Sequence, residues 1–204
     1  MGFSDVIDLV GSILIGGLIM LILFRMNSSA VENVYNNGGE LSLQQNLSVT
    51  AKVLEDDFRK IGFCADWKKI PDPSKSILLA DSTRIRFLTD IDKDGSGPDG
   101  NVDTLLYALG PTSELTVTPN PSDRFLYRII NSETPRGINL GVTQFKLIYF
   151  DALGDTIYYP VTVPSEVYTI EINLTVENTS GYNEQYSSAF WRQIRLVARN
   201  LRNR

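Results

Sequence analysis

The chain has 204 residues, of which 43% are hydrophobic and 21% charged, a globular rather than a disordered composition. Its net charge of −5 disfavours general binding to nucleic-acid backbone. It holds no histidine and one cysteine, Cys64, which removes the commonest general base, the commonest zinc ligand and any intramolecular disulfide. These absences favour a structural or binding role over catalysis.

The first element is the most informative. Leu9 to Phe24 is a run of sixteen residues without a charge. As an α-helix it covers roughly 24 Å, slightly under the hydrocarbon thickness of a bilayer. Val6 and Ile7 at one end and a snorkelling Arg25 at the other extend it enough to span. Gly11, Gly16 and Gly17 interrupt the run, and Ser12 with Gly16 makes a small-xxx-small pair of the kind that lets helices approach closely in lipid. The expectation is a single transmembrane helix. A secretory signal peptide would want a basic start, whereas Asp5 and Asp8 stand here, although Ser28-Ser29-Ala30 has the form of a cleavage site. A buried core helix is the other alternative. Arg25, C-terminal to the run, mildly favours a cytoplasmic body by the positive-inside rule. Asp5 can reach water. Asp8 lies deeper, where an α-amino group would be its natural partner, and interfacial placement of both acids is the plainer alternative.

Asn36-Asn37-Gly38-Gly39 predicts a break. A second helix is then expected from about Glu40 to Ile61, with Leu47, Ala51, Leu54, Phe58 and Ile61 on one face and Gly62 as its stop. Beyond it the period shortens to that of strands: Arg84 to Leu88, Thr104 to Leu109, Arg124 to Ile130, Val142 to Phe150 and Val167 to Val176. Asp151 to Asp155 reads as a hairpin turn, with Tyr158 to Val163 as its return strand. The closing segment from Phe190 suits a strand or a helix equally well. Consecutive strands without intervening helices predict a mainly antiparallel sheet over about residues 77–201. The fold class is therefore α+β, a long N-terminal helix packed on antiparallel β structure. Residues 1–28 form the transmembrane and assembly helix, 29–62 the polar break and amphipathic helix, and 63–204 the β domain.

The layout resembles type IV pilins and pseudopilins. The stretches Leu54 to Phe63, Asp90 to Tyr107, Gly141 to Phe145 before Tyr149, and Ala198 to Leu201 are similar to PilW-type minor pilins and the J-type minor pseudopilins of type II secretion. The resemblance spans nearly the whole chain, and it is the order of the motifs that carries it. It implies leader cleavage between Gly2 and Phe3, N-methylation of Phe3, and assembly into a filament with other pilin or pseudopilin subunits. The anchor would be a single pass in the inner membrane, with the body periplasmic, or extracellular once assembled. The family places a glutamate at the fifth mature position to join subunits; here that position is Ile7, with Asp8 beside it. With Asp8 in the glutamate's role, its carboxylate would pair with a neighbour's N-terminal amine, alongside the Ser12 and Gly16 contact face.

Other motifs stay open. Asp90, Asp92 and Asp94 before Gly95 have the opening of a calcium loop, with Asp99 and Asp103 nearby but off register. Calcium binding and a solvated acidic hairpin loop are equal alternatives. Five arginines between Arg192 and Arg204 suit a phosphate or acidic partner, or an exposed strand face; nucleic acid is not expected as a partner. Cys64 reads as a buried structural thiol. A non-polymerising single-pass membrane protein, whose β domain binds a ligand or partner, is the alternative function. A membrane-tethered carboxylate enzyme would need two convergent acids, which no spacing identifies.

Overall fold

The computed structural model of the chain describes residues 2–92, 95–138, 140–178 and 187–197. The chain divides into two compact units, Met1–Leu41 and Ser42–Arg204, each taken by itself below. One helix, α1 (Phe3–Arg59), supplies nearly all of the first unit and the opening of the second. Helical hydrogen bonding continues through Asn36, Asn37, Gly38 and Gly39, so the break predicted there is absent. Those four residues cost roughly 3 kcal/mol in helix propensity relative to alanine. A break would forfeit their hydrogen bonds and require a second nucleation, which is the costly step in helix formation.

In the second unit α1 buries Leu43, Thr50, Ala51, Leu54, Asp57 and Phe58, continuing past its end to Ile61. This is the predicted apolar stripe, lengthened by one turn at Leu43 and carrying one buried carboxylate. Gly62 ends the run with φ of +72°, a left-handed conformation that suits glycine, and its N–H donates to the Leu88 carbonyl at 2.8 Å.

Two antiparallel sheets follow. The first has the order β1 (Ile77–Ala80), β2 (Arg84–Thr89), β3 (Asp103–Leu109), β4 (Leu126–Ile130) and β5 (Arg136–Ile138). The second contains β6 (Val142–Phe150), β7 (Thr156–Ile157), β8 (Thr169–Glu177) and β9 (Ser188–Val197), in the order β7-β6-β8-β9. As far as Val197 the closing segment is thus a strand, as its alternation allowed, and residues 198–204 lie outside the described residues. It pairs along β8 from Glu177 opposite Ser188 to Thr169 opposite Val197.

Alternation fixes which side chains face inward. Ile85 and Phe87 of β2 stand opposite Tyr107 and Leu105 of β3, and all four are buried. In the second sheet Phe145, Leu147 and Tyr149 face the core together with Ile170, Ile172, Leu174 and Val176. Aromatic rings join the layers. Phe58 lies 5.6 Å from both Phe87 and Tyr107, and Tyr107 lies 6.5 Å from Phe145 across to the second sheet.

The hairpin at Asp151 to Asp155 forms, but its return strand is only Thr156–Ile157, not Tyr158 to Val163. The reason is competition for the edge of β6. At Leu147 the N–H donates to the Ser82 carbonyl at 2.8 Å, and the carbonyl accepts from the Tyr159 hydroxyl. The ladder positions that a longer β7 would need are already taken, and Pro160 has no N–H to offer.

A polar triad lies between α1 and the first sheet. Arg128 donates to Asp57 through Nε at 2.7 Å and through Nη2 at 3.2 Å, and the Tyr107 hydroxyl donates to the same carboxylate. Burial alone would depress the Arg128 guanidinium, but its bonds to Asp57 and the carboxylate's charge hold it above its ordinary value. Burial, then the Asp57 charge, raises the Tyr107 phenol well above its own, so it remains a donor. Asp57→Ala should cost about 2–4 kcal/mol, because it strands a largely buried guanidinium and a buried hydroxyl. Thermal melts of the full chain in detergent measure this. The pair of changes Asp57→Leu with Arg128→Met should recover most of the loss, since apolar packing replaces a buried ion pair at little net cost.

Candidate assembly and anchoring helix

From Phe3 to Val34 every apolar side chain of α1 is exposed. Leu18 to Phe24 is seven consecutive apolar residues, so no face of that stretch is polar. By length and composition α1 is able to cross a membrane, and its most apolar stretch buries nothing inside the chain. A helix apolar all round needs lipid or other helices against it.

Details of the helix agree with an apolar surrounding. The Ser12 hydroxyl donates to the Asp8 carbonyl at 2.8 Å, so it is satisfied within its own helix. A Cβ placed at Gly11, Gly16 or Gly17 would meet no other part of this chain within 4 Å beyond the helix's own backbone. Each glycine costs about 1 kcal/mol of helix propensity against alanine. Nothing inside the chain repays that cost. Asp8 is exposed and lies one turn before Ser12, with Gly16 one turn further on the same face. The Gly2–Phe3 bond lies where the helix begins, with the Phe3 side chain 84% exposed. The side chain of Asp5 lies outside the described residues.

Two of the aspartates of the acidic loop, Asp90 and Asp103, are buried at its base. Asp90 is fully buried at the end of β2. Its Oδ2 accepts from the Ala65 and Gly100 amides at 3.0 and 2.9 Å and from the Cys64 thiol at 3.7 Å, and its Oδ1 accepts from the Asp99 amide at 3.1 Å. Asp103, also buried, accepts from the Ile91 amide at 3.2 Å and the Asn131 side-chain amide at 2.7 Å. Asp92 accepts from the Gly95 amide and Asp99 from the Asn101 amide, each at 2.7 Å. Asp94 lies outside the described residues. Among those described, no three His, Cys, Asp or Glu side chains converge as a metal-binding group. Cys64 is buried, and burial raises its thiol pKa, with Asp90 adding to the rise. Sequence spacing picked out these aspartates by their alternation; it could not separate two inward-facing loop organisers from the outward-facing remainder.

The three successive acids of α1 separate as helical geometry requires: Glu55 pairs with Arg59, Asp56 is exposed, and Asp57 turns inward to Arg128. Of the terminal arginines, the side chains of Arg192 and Arg195 and all of Arg199, Arg202 and Arg204 lie outside the described residues.

No protein-family model matches the chain, and no curated protein matches it in sequence. Among solved structures it is similar to a type IV-like pilin, TTHA1219 from Thermus thermophilus, at 13% identity and a TM-score of 0.44, over 79% of this chain and 98% of that one.

Asp90→Asn retains the shape of the side chain but turns one acceptor oxygen into a donor, opposing buried amides. It should cost about 2–3 kcal/mol, visible as a thermal midpoint lowered by roughly 5–10 °C. A midpoint within 1–2 °C of the unsubstituted protein would show that the loop does not depend on this carboxylate.

Proposed function

We propose that the chain is a membrane-anchored structural subunit of the pilin or pseudopilin type, which acts by assembly and not by catalysis. The observation that carries this reading is the first part of α1: apolar on every side, unburied within its own chain, and carrying glycines that its own fold does not use. In this reading the segment holds the subunit in the membrane before assembly and packs against equivalent helices afterwards. The β body would set contacts between neighbouring subunits. Lipid and other pilin-type subunits are the partners. The resemblance to PilW-type minor pilins and J-type pseudopilins supports a subunit of a pilus or of a secretion filament.

Gly2–Phe3 is proposed as the processing site, and Asp8 as the carboxylate that pairs with a neighbour's N-terminal amine. Both charges would be costly alone inside the membrane, so their pairing would set the axial register of one subunit on the next. Ser12 and Gly16 extend the same face and permit close approach.

Intact mass of the protein extracted from its native membranes tests the processing step. The expected mass starts at Phe3 and carries one added methyl group; a mass retaining Met1 would point to the non-polymerising single-pass alternative. A separation of folding from assembly tests the rest. Gly16 has open space around its Cβ position and lies outside the β body, so Gly16→Leu should leave the thermal midpoint of that body unchanged while reducing cross-linking between subunits in membranes. Asp8→Asn should reduce the same cross-linking. Unaltered cross-linking in both variants would reject the assembly face.

A further inference from the structure

Where the two sheets meet, one carboxylate stands apart. Asp123 lies just before β4 and is 1% exposed, and among the described residues neither of its oxygens has a well-formed hydrogen bond, the Thr118 hydroxyl beside it being its one weak donor. This is the reverse of Asp57, Asp90 and Asp103, whose buried carboxylates all accept hydrogen bonds. A buried unpaired carboxylate costs several kcal/mol, so such a group in a folded protein points to a missing counterpart.

Its surroundings are rich in oxygen. Asn120, also 1% exposed, accepts the Asp123 amide on its carbonyl at 3.3 Å and reaches across through Nδ2 to Glu177 Oε2 at 2.9 Å and the Asn178 carbonyl at 3.3 Å. Glu177 ends β8, and its other oxygen faces the Thr143 hydroxyl at 3.4 Å. The Thr118 hydroxyl is shared between Asp123 and the Leu115 carbonyl at 3.1 Å, and its lone pairs can turn to a ligand. Burial pushes the Asp123 carboxyl above its ordinary range; Thr118 draws it back, and the Glu177 charge pushes it up again. Among the described residues, no Lys or Arg enters this balance.

The backbone around the site is firmly placed. The Arg124 amide donates to the Val142 carbonyl at 2.9 Å, and the Glu177 amide to the Gly141 carbonyl at 2.8 Å. Gly141 has φ of +73°, and a Cβ there would lie 2.2 Å from the Glu177 carbonyl oxygen, so only glycine allows the approach.

We propose that Asp123 and Glu177, with the neutral oxygens of Thr118 and Asn178, form a site for a hard divalent cation of calcium's size, tying the β3–β4 connection to the end of β8. Protonation of Asp123 would remove its charge but still leave a buried O–H and C=O to be satisfied. A cation answers both oxygens at once. Oxygen-only donors select calcium or magnesium over zinc or copper, and irregular loop oxygens suit the flexible coordination of calcium better than the octahedron magnesium demands. Two carboxylates place the affinity on the order of 0.1–1 mM, the range of extracellular modules. The proposal is independent of the assembly reading.

The test is thermal unfolding of the full chain in detergent micelles, stripped with chelator and then supplied with 10 mM calcium chloride, or magnesium chloride at matched ionic strength. Calcium should raise the midpoint by about 5 °C, with magnesium giving less. Asp123→Asn removes the buried charge, so its metal-free midpoint should equal or exceed that of the unsubstituted protein while its calcium response disappears. Glu177→Gln should also lose the response, and the double change Asp92→Asn with Asp99→Asn should retain it. The proposal is overturned by no calcium response in the unsubstituted protein or by a response that survives both single changes. Loss of the response in the double variant would overturn it too, since the ion would then belong to the acidic loop.

Discussion

The structure of the second unit depends on how one face of α1 is satisfied. Leu43, Leu54, Phe58 and Ile61 belong to one continuous core with residues of both sheets. Phe58 contacts Phe87 and Tyr107, and Tyr107 carries the contact on to Phe145, so a single helical ring starts the chain that links the layers. Neither sheet could keep its inner face dry without the other and without the helix. The same face places Asp57 where only a charged partner makes its burial tolerable. Arg128, from the fourth strand, supplies that partner. The pair adds orientation more than stability, because an ion pair at depth forfeits much of its attraction to desolvation. What it does is reject rotations of the helix that would leave either charge alone.

The N-terminal part of α1 meets the opposite condition. There is no sheet to receive its side chains, and no polar face to present to water. Its apolar surface is therefore a demand for an environment outside the chain. Glycines in such a segment have a meaning they would lack in a soluble helix. They cost helix stability, satisfy no contact of their own fold, and leave shallow places where another backbone can come close. One continuous helix thus carries two kinds of surface, one covered by its own chain and one not.

Buried aspartates do much of the remaining organisation. Asp90 collects three main-chain amides from the segment after α1 and from the β2–β3 connection, and Asp103 joins that connection to Asn131. Loops with few apolar residues cannot be held by burial, so hydrogen bonds to ionised acceptors, stronger than those between neutral groups, take that role. Asp123 stands apart from this pattern because, among the described residues, no main-chain amide donates to it. The difference between a carboxylate surrounded by amides and one surrounded by oxygens is the difference between a closed structural centre and one that calls for a cation.

Much of this was legible in the order of residues. The uncharged run from Leu9 to Phe24, the stripe from Leu47 to Ile61, the stop at Gly62 and the alternation along Val142 to Phe150 and Val167 to Val176 each express a local period, and local periods are properties of the chain itself. The helix through Asn36 to Gly39 was not legible, because propensity scores each residue alone while helix continuation depends on the turns on either side. The shortness of β7 was decided by Ser82 and Tyr159, which reach the β6 edge from distant parts of the chain. The choice of strand for the closing segment was made by the free edge of β8. Among the acids, spacing marked Asp90 to Asp103 and passed over Asp57 and Asp123, whose significance lies in groups 71 and 54 residues away, the paired Arg128 and the like-charged Glu177. Sequence determined the periods, the apolar N-terminal helix and the turns; tertiary structure decided the partners, because hydrogen bonding and charge act through space and not along the chain.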